Sequence, residues 1–199
     1  MGVLLAIRPA TLEDLPGAYR VCLLTGDAGE DATARYRDPD LLGQVYVGPY
    51  VVGQPDHALV VVDAEGVAGY CLAAPDTRAF EAWAEAAWWP LLRASHPILR
   101  DGSPDAALIR LIHAPALAPE ALVREFPSHL HIDLLAAARG IGLGRDLVER
   151  QLASLRDRRS HGVHLEVDAT NGNAIAFYRH LGFAEVERFG DSVRMGLRL

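Results

Sequence analysis

The sequence predicts an α/β domain, a mixed sheet flanked by helices. Three observations carry this. Strand-like and helix-like segments alternate along most of the chain. Two pairs of strand-like runs are joined by short polar turns, which antiparallel neighbours require. Residues 128–158 read as a strand, a glycine turn and a helix, the unit from which open α/β sheets are built.

In chain order, residues 3–7 are apolar and read as a first strand, ended by Arg8-Pro9. Thr11 is placed to cap a helix whose stripe is Leu12, Leu15, Tyr19, Cys22 and Leu23. Gly26-Asp27-Ala28-Gly29 stops it, and a polar loop follows. Asp38-Pro39-Asp40 starts a further helix before Leu41, Leu42, Val45 and Tyr46. Residues 57–62 and 67–73 form a hairpin around Asp63-Ala64-Glu65-Gly66. Residues 77–93 are helical in pattern and carry Trp83, Trp88 and Trp89. Residues 95–104 are loop-like, 106–112 strand-like, and 119–126 a short helix stopped by Pro127. After the 128–158 unit come a strand at 163–167, a helix at 171–180 ended by Gly182, and a last hairpin, 183–189 and 192–199, around Gly190-Asp191.

The 128–158 unit holds the sharpest chemical signal. Leu130, Ile132 and Leu134 alternate with His129, His131 and Asp133, a strand with one polar face. Gly140, Gly142 and Gly144 follow, and then Leu143, Leu147, Val148, Leu152 and Leu155 share one helical stripe. The first turn of a helix leaves amide donors without partners and carries partial positive charge. Glycines let a ligand reach those donors, so the junction suits a phosphate or pyrophosphate, with Arg139 and Arg145 adding charge. The dinucleotide fingerprint fails because Arg145 stands where its third glycine belongs. The P-loop fails because the chain has no lysine. A tight turn with no ligand would use the same glycines.

Composition narrows the setting. The 199 residues suit one domain with a sizeable core, and half of them are hydrophobic. A net charge of -7 and a pI near 5.6 argue against a general nucleic-acid binder. No apolar run spans a bilayer, and the N-terminus lacks signal-peptide regions. Cys22 and Cys71 suit a reducing cytoplasm as buried apolar residues. No spacing of histidines, cysteines and acids predicts a metal site.

Arg139-x-x-Gly142-x-Gly144 resembles the coenzyme A pyrophosphate loop of the GNAT acetyltransferase superfamily. Asn171-x-x-Ala174-x-x-x-Tyr178-x-x-x-Gly182-Phe183 resembles that superfamily's second signature and follows in the same order. The resemblance implies a mostly antiparallel central sheet whose two motif-bearing strands splay, with a helical insertion at about 76–126. It implies acetyl-CoA as cosubstrate in the splay. Ile132, Asp133 and Leu134 would then line its arm, and Arg139, Gly140, Ile141, Gly142, Leu143, Gly144 and Arg145 would hold the pyrophosphate. Asn171 and Ala174 would border the arm, and Tyr178 would protonate the departing thiolate. Pro39-Asp-Leu-Leu-Gly43, Gly48-Pro49, residues 57–70 and Phe126-Pro127-Ser128 are similar to the acetyltransferase-like C-terminal domain of eukaryotic O-GlcNAcases. That domain departs from the glycine-loop pattern kept here. The likeness implies a free-standing bacterial version without the sugar-cleaving half.

Direct transfer to an amine or hydroxyl needs a base. Asp133 is the first candidate, since a carboxylate held partly out of water at the strand centre can take a proton. It would equally serve a structural hydrogen bond. His129, His131, His164 and Glu166 stand behind it, and Cys71 lacks the partner base a nucleophile needs. The tryptophan helix could roof an acceptor site or be plain core, and Asp27, Glu30 and Asp31 could draw a cationic acceptor. The acceptor and the choice between monomer and homodimer stay open. So does an alternative, a coenzyme A-binding or interaction module without turnover.

Overall fold

Residues 5–199 are described in the computed structural model, so Val3 and Leu4 of the expected first strand lie outside it. β1 (Ala6–Pro9) leads into α1 (Leu15–Thr25), and Asp14 fastens the two together. Its carboxylate accepts the Thr11 N–H at 2.8 Å and the Thr11 hydroxyl at 3.0 Å. Arg8, on β1, donates to both of its oxygens at 2.7 Å. The tie matters for function because α1 carries Cys22 against the sheet.

Two short helices follow, α2 (Leu41–Tyr46) and α3 (Gly48–Gly53). The second has no counterpart in the sequence reading, because six residues show too little periodicity. The expected hairpin is β2 (Ala58–Asp63) and β3 (Gly66–Ala74). Between β3 and the next strand lie α4 (Thr77–Trp83), a π-helical turn over Ala84–Trp88, α5 (Trp89–Ser95), α6 (Pro104–His113) and α7 (Glu120–Glu125). Pro90 interrupts the ladder just past the widened turn, having no N–H to give. The remainder alternates: β4 (Ser128–Leu134), α8 (Leu143–Asp157), β5 (Gly162–Asp168), α9 (Gly172–His180), β6 (Ala184–Phe189) and β7 (Ser192–Arg198).

One expected strand is a helix. Residues 106–112 lie within α6, not in a strand. Their apolar run suggests a strand, but Ala106, Leu108, Ile109 and Ile112 form a buried helical stripe. Ser103 caps the helix by accepting the Ala106 N–H at 3.2 Å, with Pro104 in the first turn. The tryptophans pack on the core. Trp83 lies over Gly53 and Trp88 over Gly48, where an added Cβ would come within 2.4 Å of each ring. The Trp88 indole N–H donates to the Gln44 carbonyl at 2.9 Å, and Trp89 is buried.

The sheet has seven strands in the order β1-β2-β3-β4-β5-β7-β6. Every neighbouring pair is antiparallel except β4 and β5. That parallel pair is brief: Ser128 faces Val163 and His129 faces His164, and there the pairing ends. One face of the sheet packs on α1, α2, α3 and the intervening helices through Cys22, Tyr70 and Leu72. The other packs on α8 and α9 through Cys71, Leu130, Leu147, Leu155 and Tyr178. Gln151 sits in the buried stripe of α8 and is satisfied there, donating to the carbonyls of His57 and Cys71 at 2.7 and 2.9 Å.

The Arg8 bond holds the Asp14 carboxyl down to about 2. In the folded chain Asp14 is therefore ionised where the unfolded chain already binds a proton, so its contribution is present above pH 3.8 and fades as pH falls through about 2. Asp14→Asn should lower the unfolding free energy by about 1–2 kcal/mol at neutral pH, allowing for the exposure of Arg8. Urea titrations at pH 7 and pH 2 should show the difference shrinking towards zero in acid.

Candidate active site

The gap between β4 and β5 is the place to which the sequence motifs converge. β4 pairs with β3 in unbroken register, Tyr70 facing Asp133 and Leu72 facing His131. The Leu135 N–H donates to the Ala68 carbonyl at 2.9 Å. In an antiparallel pair such bonding residues alternate, so the backbone groups of Asp133 and His131 also turn towards β3. Those of Ile132 and Leu134 turn the other way, into the gap that β5 has left.

Below the gap stands the glycine turn. Gly140 and Gly142 have φ of +76° and +90°, and nothing lies within 4 Å of a Cβ added to either. A side chain at these positions would be strained and would stand in the open mouth above the helix end. Gly142 caps α8, which runs for 15 residues with its first-turn amides facing that space. Gly144 makes a different contact: an added Cβ would lie 3.3 Å from both Leu134 and Phe177. It is the point at which the two sequence motifs touch.

The two arginines behave differently. Arg145 is exposed and 3.7 Å from Glu149. Arg139 does not point its charge at the turn. Its Nε donates to the Leu134 carbonyl at 2.7 Å and its Nη2 to the Gly29 carbonyl at 3.0 Å. The expected charge beside the turn therefore falls to Arg145, while Arg139 ties the α1–α2 loop to the end of β4. Asn171 meets the same loop. Its Oδ1 accepts the Ala174 N–H at 3.0 Å, capping α9, and its Nδ2 lies 3.0 Å from where a Gly29 Cβ would stand. In that loop Arg35 pairs with Asp27, and Thr33 binds Asp31 at 2.8 and 2.5 Å, so these acids are engaged locally.

Tyr178 and Asp133 lie on opposite faces of the sheet. Tyr178 is buried beside Phe177 and Phe183, and its hydroxyl has no hydrogen-bond partner among the described residues. Burial first, then the charges of Asp133 and Cys71, push its pKa far above the ordinary phenol value, so it keeps its proton at neutral pH. Asp133 faces α1. It accepts the Tyr70 hydroxyl at 2.6 Å, and its Oδ2 is 3.2 Å from His131 Nε2. Tyr70 Oη is 3.0 Å from the same nitrogen. Because the Tyr70 proton is given to Asp133, His131 Nε2 carries the proton that joins it to Tyr70. Cys22 adds a thiol beside this group, pushed up to about 12 by burial and then by the Asp133 charge. Tyr70 and Cys22 are the site residues that sequence reasoning missed; only the pairing of β3 with β4 brings Tyr70 opposite Asp133.

The remaining candidates separate. His129 hydrogen-bonds Thr77 at 2.8 Å and is packed among Tyr50, Phe80 and His164. Burial pushes it down to about 3, with His164 and His131 opposing its charge further. His164 is buried and donates from Nδ1 to the Phe126 carbonyl at 2.8 Å. Glu166 is exposed and 3.6 Å from Arg194. Cys71 is fully buried on the α8 face, and burial raises its thiol. None of these four lines the gap beside Asp133 as His131 does.

A parted parallel strand pair, backbone groups turned into the gap and a glycine-lined helix start together form one open site at the end of the sheet. Residues 27–183 match the Acetyltransferase (GNAT) family, and the chain belongs to it. The chain is 37% identical to SsHAT, whose crystal structure superposes with a TM-score of 0.91 over 98% of both chains. A GCN5-related N-acetyltransferase from Kribbella flavida is 18% identical, with a TM-score of 0.57 over 98% of each chain, a likeness of fold. Protein O-GlcNAcase of Rattus norvegicus is 23% identical over 186 residues, 92% of this chain. The chain spans 20% of that relative's length.

Because His129 stays neutral when folded, the unfolded chain binds a proton between pH 6.5 and about 3 that the folded chain refuses. Stability therefore falls as pH drops through that window. Replacing it by leucine (His129→Leu) should flatten this loss, by about 1–2 kcal/mol between pH 7 and pH 5. A residual slope from His57 and His164, both also pushed down by burial, should remain in urea titrations.

Proposed function

We propose that the protein transfers the acetyl group of acetyl-CoA directly to an amine or hydroxyl of its acceptor. The observation that carries this is the pairing across the gap of a protonated, unpartnered phenol on one face with a hydrogen-bonded carboxylate on the other. The residues present suit the cosubstrate: the open cradle over Gly140 and Gly142, the first-turn amides of α8 and the exposed Arg145 are what a diphosphate needs. Leu143 and Ile141 border that cradle, and the Ile132 backbone and the Leu134 N–H offer partners to an amide-bearing arm. Bound there, acetyl-CoA supplies an activated thioester.

The chain's own groups divide the proton work. Asp133 takes the proton of the attacking amine or hydroxyl, directly or through one water. Tyr70 donates to its carboxylate and His131 donates in turn to Tyr70, which holds the carboxylate in place. Backbone N–H groups at the gap edge of β4 meet the charge that develops on the acyl oxygen. Tyr178 donates its proton to the departing sulfur. The acceptor therefore enters from the α1 face, and the cosubstrate from the α8 end.

A binding module without turnover is the second reading, favoured by the Arg139 side chain being committed to Leu134 and Gly29. Calorimetry with acetyl-CoA, followed by thiol release against a panel of amines and peptides, separates the two. Turnover above solvent hydrolysis supports transfer; tight binding without release supports the module. Within the transfer reading, Tyr178→Phe should lower kcat by about 100-fold, the low end for loss of a general acid, with little change in acetyl-CoA affinity. A fall in affinity alone would remove the acid role. Asp133→Asn should lower kcat by at least as much, and an unchanged rate would remove the base.

A further inference from the structure

We propose that Cys22, His131 and Asp133 form a binding site for one thiophilic divalent cation, with zinc as the occupant that the donors select. One donor atom from each of the three residues lies within 4.8 Å of the others. The sulfur comes from α1 and the nitrogen and oxygen from the polar face of β4. Zinc bonds of 2.0–2.3 Å set neighbouring ligands roughly 3.3–3.7 Å apart in a tetrahedron. His131 Nε2 and Asp133 Oδ2, 3.2 Å apart, already form one such edge. Cys22 Sγ, within 4.8 Å of both, has to close by at most roughly 1 Å for the remaining edges. The Tyr70 hydroxyl sits beside the pair at 2.6 and 3.0 Å and marks the fourth position, which it or a water can fill.

The chemistry agrees. A mixed sulfur, nitrogen and oxygen set is one that zinc takes readily, whereas calcium and magnesium want oxygen alone. No arginine hydrogen-bonds Asp133 among the described residues, so its charge is free to meet a cation. His131 and Asp133 are half-buried and Cys22 lies buried behind them, so an ion reaches the oxygen and nitrogen first. Binding forms a sulfur–metal bond and releases the Cys22 proton to solvent, and the proton on His131 moves to Nδ1. Affinity should therefore rise with pH, because each ion bound displaces the thiol proton.

Titration of the whole chain with cobalt and with cadmium, read by thiolate-to-metal charge-transfer absorption, tests this. One equivalent should bind with the thiolate band present. Cys22→Ala should abolish the band, and His131→Gln and Asp133→Asn should each weaken binding at least about tenfold, the lower end of what losing even an outer-sphere partner costs. Cys71, on the opposite face, is the internal control. Absence of a thiolate band, its survival in Cys22→Ala, or indifference to both β4 variants would overturn the site. Should Cys22→Ala fail to fold by circular dichroism, the two half-exposed β4 variants decide. Zinc should also inhibit acetyl transfer, and a chelator should restore it. That second readout rests on the functional reading above; the absorption band does not, so failure of one is distinguishable from failure of the other.

Discussion

The parting of β4 from β5 after two residue pairs is the constraint on which the site depends. A parallel pair that continued would bond the backbone groups of Ile132 and Leu134 to β5 and close the sheet. Because it stops at His129 and His164, those groups are left without a strand partner, and Arg139 takes the Leu134 carbonyl instead. Leaving the others unpaired is tolerable only where water or another molecule can reach them.

The surroundings of the gap divide by polarity. On the α8 face, apolar packing raises the Tyr178 phenol and leaves it without a partner. On the α1 face, a network of Asp133, Tyr70 and His131 satisfies itself through short hydrogen bonds, with Cys22 at its back. A carboxylate held by neighbours without a cation keeps its negative charge available, which suits both proton abstraction and capture of a metal ion. These two uses compete for the same oxygen.

The α1–α2 loop links the two motif ends. Arg139 bonds its Gly29 carbonyl, and Asn171 packs against the same residue. Both side chains stand at motif positions, and in this structure Arg139 bonds the loop while Asn171 packs on it and caps α9.

The helical stripe of α8, the alternation in β4, the glycine turn and the two hairpins were legible because each rests on local periodicity or on backbone conformations that only a few residues adopt. The run at 106–112 was misread because a short apolar segment serves a buried helix stripe as well as a strand, and its cap at Ser103 argued for the helix. What the sequence by itself determined is most of the elements, the glycine turn and the family whose motifs they carry. The tertiary structure alone decided which residues stand together. Tyr70 reaches Asp133 through strand register, Cys22 reaches His131 through the packing of α1 on the sheet, and Tyr178 is buried by the packing of α9 on the other face. Such contacts join residues tens of positions apart, and no local pattern records them.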